Sequence, residues 1–382
     1  MHLIKTTTNG LDFYRISEES FFSTSFQHLW DEFLAVIPHN FFHNYYWQKQ
    51  CWEIIYKNKG SELHCYLVKR AEEVIAILPL YLSKNKNVFK YLYSFDELRL
   101  IGDDPLSCGQ DHHLLISGPH QQQHILSIMD FLFESIPSLT RVRLGPFRDT
   151  LIDDYKRVFS GSSWEKKCSS SFKNFSYPIQ LKESLQQQLK SCSKKFRSDL
   201  SAKRKKLTAL GSIELLSMTE KESVSKTLQT AISWFTCRSN KIKNNTFEDP
   251  TFITFIERTI PQLVAKQSAS VLVLKVNDDI CGCTVNLNYN HTQTVCYYNF
   301  MNPNHYTHLS IGQLMLAYTL EENIKEGKQV MDLWIGDSSY KEHWTPLKTP
   351  FYYLDFYRSP LVKTLFVFWE KFRSYVHQLR GK

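Results

Sequence analysis

Apolar and polar positions recur with two different periods along this chain, and each change of period marks an element. Phe26, Leu29, Trp30, Phe33, Leu34 and Ile37 step at helical spacing, which predicts an amphipathic helix over 25–37, closed by Pro38. A second aromatic helix, over 44–56, carries Trp47 and Trp52. Runs of β-formers then predict strands over 10–16, 63–68, 74–82, 98–102, 113–116 and 141–144, with a helix over 120–136 that stops before Pro137. Residues 149–176 hold a short helix over 151–159 and two serine-rich stretches, the nearest thing to a linker. Beyond it, Leu181, Leu185, Leu189, Cys192, Phe196, Leu200, Leu207 and Leu210 predict one long amphipathic helix over 181–210, ended by Gly211. Helices over 221–239 and 250–266 follow. Next come a hairpin (270–276 and 280–289), a strand over 293–301, a helix over 311–326 and a buried strand over 330–335. A strand over 351–358 and a basic, aromatic helix over 360–380 close the chain.

The order helix, helix, three strands, helix, strand occurs twice, and in each copy the last strand ends in glycine, at Gly145 and at Gly336. This repeat predicts two copies of one α/β domain, over 1–170 and 171–382. Only the second copy follows its final glycine with Asp337, Ser338, Ser339, Tyr340 and Lys341. A carboxylate, a phenol and an amine released at the carboxyl end of a strand are a usual way to build a site. The second copy is therefore the expected active one, and the first the structural or substrate-side one.

Composition narrows the partners. With 42% hydrophobic and 22% charged residues the 382-residue chain is a folded protein of two-domain size, not a disordered one. The net charge of +8 favours anionic partners: a phosphorylated cofactor, nucleic acid or an acidic membrane surface. Nine scattered cysteines, an odd number, point to reduced thiols and a cytoplasmic setting. The start lacks the apolar core of a signal peptide, and no apolar run reaches the ~18 residues a membrane span needs. Asp111-His112-His113 and the His305/His308 pair lack a third ligand, so no metal is expected.

Three stretches resemble the tandem GNAT-fold acyltransferases, and within them the CelD/BcsL-like acetyltransferase family, relatives of the Fem transferases. They are the basic helix Lys194 to Leu207 ending at Gly211, the helix start Ser310-Ile-Gly-Gln-Leu314, and Gly336-Asp-Ser-Ser-Tyr-Lys-Glu-His-Trp344. The resemblance implies two tandem GNAT-like domains with mixed central sheets. It also implies transfer of an acyl group, acetyl from acetyl-CoA above all, to an amine or hydroxyl such as that of an amino sugar in envelope or polysaccharide building. The phosphate loop departs from the family's usual form: Leu309-Ser-Ile-Gly-Gln-Leu314 has one glycine and no basic residue at its head.

On this resemblance Tyr298 and Asn299 sit near the acyl group, and Ser310, Ile311, Gly312 and Gln313 hold the cofactor's pyrophosphate at a helix N-terminus. Asp337 is the candidate base, Tyr340 the candidate acid for the departing thiolate, and Lys341 either an oxyanion holder or the ion-pair partner of Asp337. Lys195, Arg197 and Arg204, with Trp234 and Arg238 on the next helix, are candidates for holding an anionic acceptor; a solvated helix face is the plainer reading of the basic residues. Two alternatives stay open: a Fem-like enzyme using aminoacyl-tRNA, and an inactive GNAT scaffold on an anionic partner. The last helix either packs on the protein or lies on an anionic membrane.

Overall fold

Ser23 starts the first long helix by accepting a hydrogen bond from the Phe26 amide, and Phe26, Trp30, Phe33 and Leu34 form its buried face. The computed structural model describes residues 1–89, 93–103, 109–117, 121–239 and 246–380. The chain divides into two units, Met1–Lys173 with Pro350–Lys382, and Asn174–Thr349.

The first unit opens with β1 (His2–Thr6), β2 (Asp12–Arg15), α1 (Glu18–Phe21), α2 (Thr24–Val36) and α3 (Tyr45–Gln50). It continues with β3 (Glu62–Arg70), β4 (Glu73–Phe89), β5 (Tyr93–Leu100), β6 (Leu115–Ile116), α4 (Gln121–Ser135), β7 (Leu139–Arg148), α5 (Asp149–Phe159) and β8 (Cys168–Ser176). β3, β4 and β5 pair antiparallel, and β5 pairs parallel with β7 across the α4 crossover. Leu78, Leu80, Leu98 and Val142 pack with Ile128, Met129 and Leu132 of α4 in the main core.

The second unit repeats this plan. Its elements are β9 (Pro178–Gln180), α6 (Leu185–Lys190), α7 (Lys194–Leu210), β10 (Ile213–Met218), α8 (Lys221–Ser239) and α9 (Pro250–Ala265). Then follow β11 (Ala269–Val276), β12 (Asp279–Asn288), β13 (Gln293–Met301), α10 (Ile311–Lys325), β14 (Val330–Asp332) and α11 (Ser339–Glu342). The sheet order is β10-β11-β12-β13-β14-β9, and β13 and β14 run parallel across α10. Leu272, Leu274, Leu314, Met315, Leu320 and Met331 form its core with Leu200 and Leu207 of α7.

The chain then returns through β15 (Thr349–Tyr357) and α12 (Pro360–Arg380). β15 pairs antiparallel with β7, so this strand and the last helix belong to the first unit and not to the second half, where the sequence reading put them. Arg143 clamps Asp355 of β15 through bonds of 2.7 and 2.9 Å, and Arg141 reaches Glu97 of β5 at 3.0 Å. Both sheets are mixed, as the family resemblance implies. The single helix expected over 181–210 is two: Ser193 breaks it by capping the Phe196 amide. Among the described residues no helix is long and apolar enough to cross a membrane.

Candidate active site

β13 and β14 form the site by parting. Their parallel pairing covers only Gln293–Val295 against Val330–Asp332. On its other edge β13 slips register: Val285 faces Tyr298 but Asn286 faces Cys296, which leaves Tyr297 as an extra residue. The free end of β13 and the start of α10 then border a cleft of about 460 Å³. Asn299, Met301, Asn302 and Pro303 line one side, Ser310 to Gln313 another, and Tyr340 of α11 a third.

The α10 N-terminus is built tightly. Ser310 sits in the left-handed region at φ 53°, which turns the chain into the helix. Gln313 and Leu314 donate to the Ser310 carbonyl at 2.8 and 3.3 Å, and the amides of Ile311 and Gly312 lie ahead of the helix's own hydrogen-bond ladder. A Cβ at Gly312 would lie 2.4 Å from Met301 Sδ, so a side chain here would displace the methionine. Asn299 donates to the Gly312 carbonyl at 3.0 Å, and its own Oδ1 is buried with no hydrogen-bond partner among the described residues. Lys203 of α7 donates to Ser310 Oγ at 2.9 Å while paired with Asp199 at 2.6 Å. A positive charge thus reaches the helix start from a different helix. Trp344 donates to Gln313 Oε1 at 2.6 Å and ties the α11 side of the cleft to α10.

The three candidate catalytic residues separate. Tyr340 faces the cleft; its ring is 39% exposed, yet the surrounding protein desolvates the phenol and pushes its pKa above the ordinary value near 10. Asp337 is exposed and accepts a hydrogen bond from the buried Tyr177 hydroxyl at 2.5 Å. Lys341 is 5% exposed and donates to the carbonyls of Trp334 and Gly336, both at 2.9 Å. Burial pulls its ammonium down to about 8, against the opposing pull of Asp332, Cys296 and Asp337. Lys341 thus pins a bend in which Trp334 has φ 69° and Gly336 φ 134°. Asp337 and Lys341 do not form a direct ion pair among the bonds of this site; they flank Tyr177, over whose ring Lys341 lies at 5.5 Å.

Among the residues expected at the cofactor, Asn299, Ser310, Ile311, Gly312 and Gln313 line the cleft. Tyr298 points the other way, into an aromatic cluster with Phe247, Phe252 and Phe300, because neighbours on a strand face opposite sides. Of the expected acceptor residues, Lys195 is exposed, Arg197 bonds the Lys190 carbonyl, and Arg204 lies over Tyr318 and reaches Glu321. Trp234 is buried. Arg238 lies in α8, and its side chain is outside the described residues. Lys195, Arg197, Arg204 and Trp234 do not line the cleft. Met301, Asn302, Pro303 and the Lys203 contact were not singled out from sequence. Among the described residues no group of three His, Cys, Asp or Glu could hold a metal.

Residues 194–342 match the acetyltransferase (GNAT) domain family, so the second unit carries a GNAT-type acyltransferase domain. The comparison with curated proteins returned no match. Among solved structures, FemX superposes with a TM-score of 0.59 at 10% identity, over 89% of this chain and 98% of its own. A conserved protein of unknown function from Bacteroides thetaiotaomicron gives 0.57 at 9% identity, over 87% and 97%. L-PGS from Bacillus licheniformis gives 0.52 at 12% identity, over 92% and 96%. These likenesses speak for the fold over nearly the whole chain.

Proposed function

We propose that the second unit transfers an acyl group from a CoA thioester, acetyl-CoA in the simplest case, to an amine or hydroxyl acceptor such as an amino sugar used in envelope or polysaccharide building. The observation that carries this reading is the cleft itself. A helix N-terminus, a lysine and a protonated phenol meet at one opening, beside a strand end freed from its neighbour. The α10 amides and Lys203 suit the phosphates of such a donor. The unpartnered Asn299 Oδ1 is a ready acceptor for an amide N–H of the donor arm.

The thioester supplies an activated acyl carbon. The acceptor's nitrogen or oxygen bonds to that carbon, the carbon–sulfur bond breaks, and the acceptor gives up one proton while the thiolate takes one. In this reading Tyr340 donates that proton to the thiolate and regains one from solvent, to which the acceptor has released its own. Lys341 acts by holding the bend that presents Tyr340. No carboxylate or histidine lines the cleft among the described residues, and in this reading an acceptor amine enters with its own free-base fraction or loses its proton to solvent.

The exposed row Lys194, Lys195, Lys205 and Lys206 on α7 favours a second reading, in which the donor is an aminoacyl-tRNA. Thiol release separates the readings. Purified protein with acetyl-CoA and a panel of amino sugars is expected to free CoA thiol only when an acceptor is present. Acyl transfer from charged tRNA, with no thiol release from acetyl-CoA, would overturn the first reading in favour of the second.

A further inference from the structure

The last helix has two apolar faces, and among the described residues only one is covered. Phe366 is buried against Phe95 and Tyr357, and Glu370 reaches Arg141 at 3.2 Å and Arg143 at 3.4 Å. This side holds α12 on the first unit. On the opposite side Leu361, Leu365, Phe368, Phe372 and Tyr375 are 49–69% exposed. They step by four and three residues, so they form one stripe about 21 Å long at the 1.5 Å rise of a helix. Scattered surface leucines are ordinary, but five large apolar residues in one outward line are not.

Charge chooses the occupant. Residues 360–380 contain Lys363, Lys371, Arg373 and Arg380 against the single acid Glu370, and that acid is turned inward onto Arg141 and Arg143. A second copy docking stripe to stripe would bring two such basic helices together. An anionic lipid surface would instead take the apolar stripe among its acyl chains and the basic residues among its headgroups. The helix cannot span, so it must lie flat. We infer that α12 is a membrane-surface anchor, seating the first unit on an anionic bilayer through the stripe from Leu361 to Tyr375. This goes beyond the transferase reading and does not depend on it.

The test is co-sedimentation of the full chain with vesicles of mixed phosphatidylglycerol and phosphatidylcholine, and with vesicles of phosphatidylcholine alone. The anchor predicts binding to the anionic vesicles that falls about tenfold on neutral ones, and falls as steeply in raised salt. Phe368→Ser with Phe372→Ser, both outward and so compatible with folding, is expected to remove about nine-tenths of the binding while leaving the thermal melt in place. Lys371→Gln is expected to weaken binding to anionic vesicles only. Wild-type protein that stays in the supernatant, or binds both vesicles alike, overturns the anchor. A wild-type dimer that the double variant makes monomeric overturns it too, because a second copy then covers the stripe.

Discussion

Lys203 and Ser310 stand 107 residues apart in sequence, and Lys203 Nζ lies 2.9 Å from Ser310 Oγ. The helix start at Ser310–Gln313 has no basic residue of its own, and this contact supplies one from α7. Lys203→Gln is therefore expected to weaken acetyl-CoA binding about tenfold, the weight of one charge-assisted hydrogen bond. Lys203→Arg should recover most of it. Equal affinity in all three proteins, measured by calorimetry, would remove Lys203 from the site.

Gly312 and Met301 share one space. Alanine at 312 drives its Cβ toward Met301 Sδ, and the methionine must leave for the cleft or strain the helix start. Gly312→Ala should weaken donor binding, and Met301→Ala in the same chain should restore part of it. A double-mutant cycle is expected to show coupling of about 1 kcal/mol. Additive effects would mean that the two side chains do not compete.

Much of this site was legible in sequence, and what was missed has physical causes. The strand over 293–301 and the helix after it were readable from period alone, and their junction brought Asn299 and Ser310 to Gln313 together. The Tyr298 ring faces away from the cleft because a strand turns adjacent residues to opposite faces, and the bulge at Tyr297 decides which face is which. Lys203 carried a signal that went unused. It sits three residues after Leu200 and four before Leu207, on the buried stripe of α7, where a lysine needs a partner. The return of the chain to the first unit was not readable, because a pairing of β15 with β7 leaves no local trace. Residues 333–338 read as strand and then loop, but β14 ends at Asp332 and Lys341 sets the bend that follows.

Tyr340 should act on turnover more than on binding. Tyr340→Phe keeps the ring that lines the cleft and removes the proton, so kcat is expected to fall about a hundredfold with KM nearly unchanged. Its pKa is raised by burial, so the wild-type pH–rate profile should show no alkaline loss near pH 10 from this group. A large rise in KM with kcat intact would make Tyr340 a binding residue instead.

Lys341 makes a pH prediction of definite sign. Its pKa falls from 10.5 to about 8 on folding, chiefly through burial. Between those values the unfolded chain keeps the proton and the folded chain has released it. The unfolded state therefore binds more protons, and stability rises with pH across this window. Below about pH 8 the lysine is charged in both states, and the cost of burying the charge remains. The stability of the wild type relative to Lys341→Met should therefore increase by about 3 kcal/mol between pH 8 and 10.5. Denaturant unfolding at several pH values measures it, and a flat difference would show that Lys341 titrates normally.

The central claim, that the cleft between β13 and α10 takes a CoA thioester, is tested most directly by calorimetric titration of acetyl-CoA into the purified chain. The expected result is one saturable site per chain, weakened in Lys203→Gln and Gly312→Ala and retained in Tyr340→Phe. Absence of any heat of binding to the folded wild type at about millimolar ligand, a Kd beyond roughly −4 kcal/mol of affinity, would contradict it.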